Sequence, residues 1–253
     1  MSKAQNTQLH LNLLTAVAQK FIKFCYFIIL FLVVSCGENN TDKKINDANP
    51  EKETEQKETE QTETADTSTK TILCFGDSIT AGYGLDDVTD AYPGVLQQKI
   101  DSLGLNYTVV NSGVSGETTA GGKGRIDWIL NQKVDIFILE LGANDGLRGV
   151  NLVETTINLQ AIIDAVKAKI PKTKIILAGM QLPPNMGQEY TRDFKQIFMN
   201  IAEKNEIELI PFILEDVGGI AELNQKDGIH PTVEGHKLVA NTVWKTLEPL
   251  LEK

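Results

Sequence analysis

Apolar residues in this chain fall into two rhythms. Short, nearly unbroken runs at 71–75, 107–111, 134–141, 174–180 and 207–211 read as β-strands. The run at 134–141 (VDIFILEL) suits a central parallel strand covered on both faces. Between the runs, apolar positions recur at three- and four-residue spacing, the mark of a helix face. Such stretches cover 91–103, 119–131, 152–170, 191–204 and 232–251. In 152–170 the recurring positions include Val153, Ile157, Ile163, Val166 and Ile170, and Pro171 stops the helix. Strands alternating with helices predict a three-layer α/β/α domain around a parallel sheet. No internal repeat interrupts the alternation.

The first seventy residues have a different texture. Lys20 and Lys23 precede an apolar run at 24–34 (FCYFIILFLVV). A bilayer span needs about 20 apolar residues, so the run is short for an anchor and fits the core of an export signal. Its exit, Val33-Val34-Ser35-Cys36-Gly37, resembles the lipobox of bacterial lipoproteins. That resemblance implies lipidation of Cys36, which would become the new N-terminus. The competing reading is an uncleaved signal anchor with an incidental cysteine. Residues 37–69 are mostly Glu, Thr, Lys, Asn and Gln, with almost no large apolar side chains. They lack the apolar surface to offset chain entropy, so a disordered acidic linker is expected. The expected organisation is a signal segment (1–36), a linker (37–69) and a domain (70–253). It places a monomeric domain in the cell envelope, facing the periplasm or cell surface and joined to a membrane through Cys36.

Composition narrows the field. Hydrophobic residues make up 42% and charged residues 23% of the 253, the balance of a soluble globular domain. The formal net charge of -10 argues against nucleic acid as a partner. The three cysteines are Cys25, Cys36 and Cys74, with no CxxC or Cys/His cluster to hold a metal. Cys74 sits within an apolar run and reads as a buried free thiol.

The polar residues at the strand exits carry the candidate chemistry. In a parallel α/β sheet, active groups gather at the carboxyl ends of the strands. Ser78, in Phe75-Gly76-Asp77-Ser78-Ile79, follows the first strand and starts a helix. Ser there is also a common helix N-cap. As a nucleophile it would gain from the free N–H groups of the helix start. Gly113 follows the second strand; without a side chain, its N–H can approach an oxyanion, although a turn glycine reads the same way. Asn144, in Gly142-Ala143-Asn144-Asp145, follows the third, and its amide is a further donor or a turn former. Ser115 is a rival nucleophile without the strand-to-helix setting. His10 lies in the signal segment and His236 inside a helical pattern, which leaves His230 as the base. Asp227, three residues earlier across Gly228, can accept the imidazole Nδ1–H and leave Nε2 facing Ser78. A nucleophile, a base, its orienting acid and oxyanion donors together form the inventory for serine ester hydrolysis. There is no GxSxG elbow.

Four blocks, Gly76-Asp77-Ser78, Gly113, Gly142-x-Asn144-Asp145 and Asp227-x-x-His230, resemble the SGNH (GDSL) hydrolase superfamily. The resemblance spans about 70–250. It leans to the branch of thioesterase I, lysophospholipase L1 and arylesterases through 142–149 (GANDGLRG), Leu182-Pro183-Pro184-Asn185, Pro211-Phe212 and 227–231 (DGIHP). It implies a flavodoxin-like five-stranded sheet of order 2-1-3-4-5 and no metal or organic cofactor. It also implies Ser78, Asp227 and His230 as catalytic residues, and an oxyanion hole from the N–H groups of Ser78 and Gly113 with the Asn144 amide. The expected substrates are small acyl esters, thioesters or lysolipids. The loop at 181–188, with Leu182, Pro183, Pro184 and Asn185, should line an acyl pocket; a rigid surface loop is the alternative. A carbohydrate O-acetyl esterase and a non-catalytic binding lipoprotein remain as competing functions.

Overall fold

The computed structural model describes residues 68–252. The expected signal segment with Cys36, and the linker up to residue 67, lie outside the described residues. Five strands form one sheet: β1 (Lys70–Gly76), β2 (Tyr107–Gly113), β3 (Ile136–Glu140), β4 (Lys174–Ala178) and β5 (Glu208–Ile210). The order is β2-β1-β3-β4-β5 and every pairing is parallel, as expected. β1 and β3 lie in the middle of the sheet. Ile72 to Phe75 and all of β3 are buried, which explains their unbroken apolar runs.

Among the described residues seven α-helices accompany the strands: α1 (Ser78–Ala81), α2 (Tyr92–Ser102), α3 (Thr119–Ile129), α4 (Ala143–Leu147), α5 (Leu152–Lys169), α6 (Gln188–Asn205) and α7 (Val233–Leu247). α2 packs beside α7, while α3, α5 and α6 adjoin in a second row. With right-handed crossovers, the reversal of strand order at β1 sends these rows to opposite faces. In register, Gly76 stands opposite both Gly113 and Glu140, so the ends of β1, β2 and β3 meet at the reversal point. That crevice is where open α/β sheets place their chemistry.

The structure departs from the sequence pattern in three places. β5 stops at Ile210, because Pro211 has no N–H for a ladder; Gly179 N–H donates instead to the Ile210 carbonyl at 2.7 Å. α7 begins at Val233 under a Thr232 cap and ends at Leu247, where a 3-10 turn containing Pro249 takes over. α5 is rotated from the expected face: Val153 and Ile157 are exposed, whereas Thr155 and Asn158 are buried. Asp145 explains the rotation. It accepts from Thr119 N–H (2.8 Å), Thr119 Oγ1 (2.5 Å) and Thr155 Oγ1 (3.4 Å), and Asn158 donates to Thr119 Oγ1 (3.4 Å). A buried carboxylate needs such donors, and they occupy helix positions that hydrophobicity alone assigns to the core.

Candidate active site

Ser78 sits at the first turn of α1, a helix of four residues. Asp77, not Ser78, caps it, with Oδ1 accepting the Ile79 N–H at 3.1 Å. Gly82, at φ 77°, ends the helix in the left-handed conformation. The turn holds Ser78 mostly buried, 8% exposed, and its backbone N–H has no partner among the described residues. That N–H is one of the orphan donors of a helix start.

His230 and Asp227 come from the loop before α7. Asp227 Oδ1 accepts the N–H groups of Ile229 (3.0 Å) and His230 (3.1 Å), closing a tight turn through Gly228 at φ 71°. Its Oδ2 accepts the His230 Nδ1–H at 2.7 Å. Burial opposes the Asp227 charge, but these three hydrogen bonds prevail and hold the carboxyl down at about 2. A carboxylate only accepts, so Nδ1 carries the imidazole proton and Nε2 presents its lone pair. The Ser78 hydroxyl donates to that Nε2 at 2.9 Å. The Tyr83 ring packs against the imidazole with centroids 4.6 Å apart. The fold thus closes a separation of 152 residues into one hydrogen-bonded line. Ser115 is exposed and makes no hydrogen bond among the described residues. His236 is buried in α7, where Nδ1 accepts the Tyr92 N–H at 3.2 Å. It is a packing histidine.

Asn144 lies in α4, a helix absent from the hydrophobic pattern. Its Nδ2 donates to Asp77 Oδ2 at 3.1 Å, and its second amide hydrogen has no partner among the described residues. Arg148 Nη2 donates both to Asn144 Oδ1 (3.2 Å) and to the Gly116 carbonyl (3.0 Å).

Gly113 is placed otherwise than expected. It is the last residue of β2, and its only N–H donates to Asn111 Oδ1 at 3.0 Å. A Cβ at Gly113 would lie 2.2 Å from the Ala81 nitrogen, so this glycine lets β2 pack against α1. Gly116 offers what Gly113 does not. It is held at φ 78°, its carbonyl is pinned by Arg148, and its N–H is unpartnered among the described residues. Both glycines follow the same strand. Asn111, two residues before Gly113, was the available hint that the nearer N–H is taken.

Beside Ser78 opens an apolar cavity of about 360 Å³. Ile79 and Ile229, the neighbours of Ser78 and His230, line one part; Leu147, Met180, Phe212 and Leu214 line others. Leu182, Pro183 and Pro184 line it, whereas Asn185 is exposed and does not. Among the described residues no group of three His, Cys, Asp or Glu is placed to hold a metal ion. Cys74 is a free, fully buried thiol, pushed up to about 12 by burial.

Comparison with known proteins identifies a family for the chain. The model of the GDSL-like Lipase/Acylhydrolase family matches residues 74–238. Esterase TesA of Pseudomonas aeruginosa is 40% identical over 185 residues, covering 73% of this chain and 90% of that protein. Thioesterase 1/protease 1/lysophospholipase L1 of Escherichia coli K12 is 35% identical over 182 residues, 72% of this chain and 85% of that protein. The crystal structure of TesA superposes with a TM-score of 0.69 at 39% identity, over 72% of this chain and 100% of that one.

Proposed function

The chain belongs to the GDSL-like lipase/acylhydrolase family and is a serine carboxylic ester hydrolase, and on that premise we propose how its groups divide the chemistry. His230 Nε2 takes the Ser78 proton as Oγ bonds to the acyl carbon. The carbonyl oxygen becomes an oxyanion held by the N–H groups of Ser78 and Gly116 and by the free hydrogen of the Asn144 amide. His230 then gives its proton to the departing alcohol or thiol. Water, deprotonated by the same nitrogen, cleaves the acyl-enzyme. Asp227 holds the tautomer and stabilises the imidazolium. The observation that carries this reading is the Ser78–His230–Asp227 line beside an apolar cavity.

The cavity also bears on the substrate. Its lining is mostly apolar, with Gln181 and Asn224 the polar side chains, and its volume far exceeds that of an acetyl group. This favours fatty-acyl esters, lysophospholipids or thioesters over acetylated carbohydrate. Turnover of p-nitrophenyl esters from acetate to palmitate tests the assignment: a rise in kcat/KM with acyl length is expected, and an optimum at acetate would overturn it.

Attachment to a membrane through Cys36, and so residence in the cell envelope, is part of the same proposal. Its support is the basic residues, apolar run and Ser35-Cys36 exit of the sequence. Intact mass of the membrane fraction tests it: a diacylglyceryl adduct on a chain beginning at Cys36 is expected, and an unmodified Cys36 would refute it.

A further inference from the structure

Glu140 occupies a position where β3 calls for an apolar side chain. It is the last residue of the strand, 1% exposed, and stands opposite Gly76 in register. Its Oε2 accepts the Asp77 N–H at 3.2 Å and the Thr80 hydroxyl at 2.7 Å. Its Oε1 is buried with no donor among the described residues. A buried carboxylate oxygen left without a donor is strongly disfavoured. Protonation gives the carboxyl a donor, and the Asp77 carboxylate, which is within side-chain hydrogen-bond reach of Glu140, is an acceptor for it. Asp77 in turn accepts from the Ile79 N–H and the Asn144 amide. Gly76 is what admits the carboxyl: a Cβ there would lie 2.5 Å from Glu140 Oε2 and 2.1 Å from Thr80 Oγ1.

We propose that Glu140 is a positioning residue of this hydrolase: a neutral acid that shares its proton with Asp77 and, through Asp77, sets the turn carrying Ser78 and the pose of the Asn144 amide. The proposal rests on the ester-hydrolase reading above. Burial, then the neighbouring Asp77 charge, raise Glu140 well above the usual carboxylate range. Burial raises Asp77 too, to about 6, but the hydrogen bond between the two carboxyls lowers Asp77 and raises Glu140, so the proton stays on Glu140.

The other groups around the pair leave that assignment intact. From α2, Tyr92 OH meets Thr80 Oγ1 at 3.0 Å, and burial raises its pKa well above the ordinary value. From β1, Cys74 is neutral for the same reason. From α7, His236 is kept neutral, lowered to about 4 by burial. His230 acts on Asp77 through its charge. From α3, Arg125 reaches the Gly76 carbonyl at 3.4 Å but is paired with Glu117. Ionising Glu140 would therefore set a second negative charge against Asp77, under the nucleophile, while His230, the cation that acts on Asp77, is held between Asp227 and Ser78.

Glu140→Gln keeps a donor and an acceptor and has no proton to lose; Glu140→Ala removes both. The experiment measures kcat and KM of wild type and both variants from about pH 6 to about pH 10, with Ser78→Ala as control, and their melting temperatures over the same range. Glu140→Gln is expected to keep kcat within about threefold near neutrality and to lack an alkaline decline that wild type shows; Glu140→Ala is expected to lose about tenfold or more in kcat with KM little changed. The melting temperature of Glu140→Gln relative to wild type should climb with pH. A carboxyl whose folded pKa is raised loses its stabilising effect as pH rises past the unfolded value. The proposal is overturned by an unchanged kcat in Glu140→Ala. It is equally overturned by an alkaline limb in Glu140→Gln identical to wild type, or by a melting difference constant across pH. Turnover by Ser78→Ala equal to wild type would instead refute Ser78 as the nucleophile in the reading above, and the melting comparison would still decide whether Glu140 holds the proton.

Discussion

Asn144 Nδ2 donates to Asp77 Oδ2 at 3.1 Å, across the crevice between the ends of β1 and β3. Asp77 also caps the helix that begins with Ser78. One carboxylate therefore fixes the nucleophile's turn and aims an oxyanion donor toward it. The two strands that lead into these groups are neighbours in the sheet, so this half of the site takes its precision from a strand pair, while Asp227 and His230 come from the loop before α7.

Replacing Asn144 by alanine removes that donor and leaves the Ser78–His230–Asp227 line intact. We expect kcat to fall by about 10²–10³-fold with KM near wild type, the signature of a contact made in the transition state. Steady-state kinetics on one p-nitrophenyl ester decides it. A raised KM with unchanged kcat would place Asn144 in ground-state binding instead.

Arg148 spans Asn144 Oδ1 and the Gly116 carbonyl with a single nitrogen. Arg148→Ala should lower kcat by about tenfold, because both donors lose their brace and the Asn144 amide loses the charge that polarises it. Added guanidinium should restore part of the loss. Arg148→Lys should recover less than wild type, since an ammonium does not reproduce the planar guanidinium.

Burial of His236 predicts a loss of stability in acid. Burial, with a smaller push from His230, lowers its pKa from 6.5 to about 4. The folded state thus binds this proton later than the unfolded chain. Its contribution is whole above about pH 6.5 and is lost as pH falls toward about 4, by about 3 kcal/mol in all. His236→Asn, which keeps an acceptor for the Tyr92 N–H, should flatten that part of a urea-denaturation profile taken between about pH 7 and about pH 4. An unchanged slope would show that other groups carry it.

Much of this was legible in the sequence, for physical reasons. β1 and β3 are buried on both faces, so their apolar runs are unbroken; the alternation predicts the three-layer α/β/α domain, and the strand order comes from the family resemblance. Ser78 and His230 were visible because each stands at a strand exit or loop beside a helix start, with the other histidines assigned elsewhere by position. Three of the misses share one cause. Hydrophobic periodicity does not register where a buried polar group finds its partner. Glu140 vanished into an apolar run, Asp145 turned α5 away from its expected face, and Asn111 took the N–H that Gly113 was expected to offer.

The acyl cavity should yield to a single filling substitution. Leu147 lines it from the end of α4. Leu147→Trp is expected to lower kcat/KM for decanoyl and longer esters by about tenfold or more and to leave acetate and butyrate nearly unchanged, since each methylene denied burial forgoes about 0.8 kcal/mol. An equal loss at every chain length would mean that the cavity does not hold the acyl chain.

The central claim is that Ser78 is the attacking group, and phosphonylation tests it most directly. An alkyl p-nitrophenyl phosphonate mimics the tetrahedral intermediate and traps a serine that an adjacent imidazole activates. Intact mass and peptide mapping should show one adduct per chain, on the peptide containing Ser78, with matching loss of ester turnover and no adduct in Ser78→Ala. An adduct on Ser115, or inactivation with Ser78 unmodified, would contradict the account.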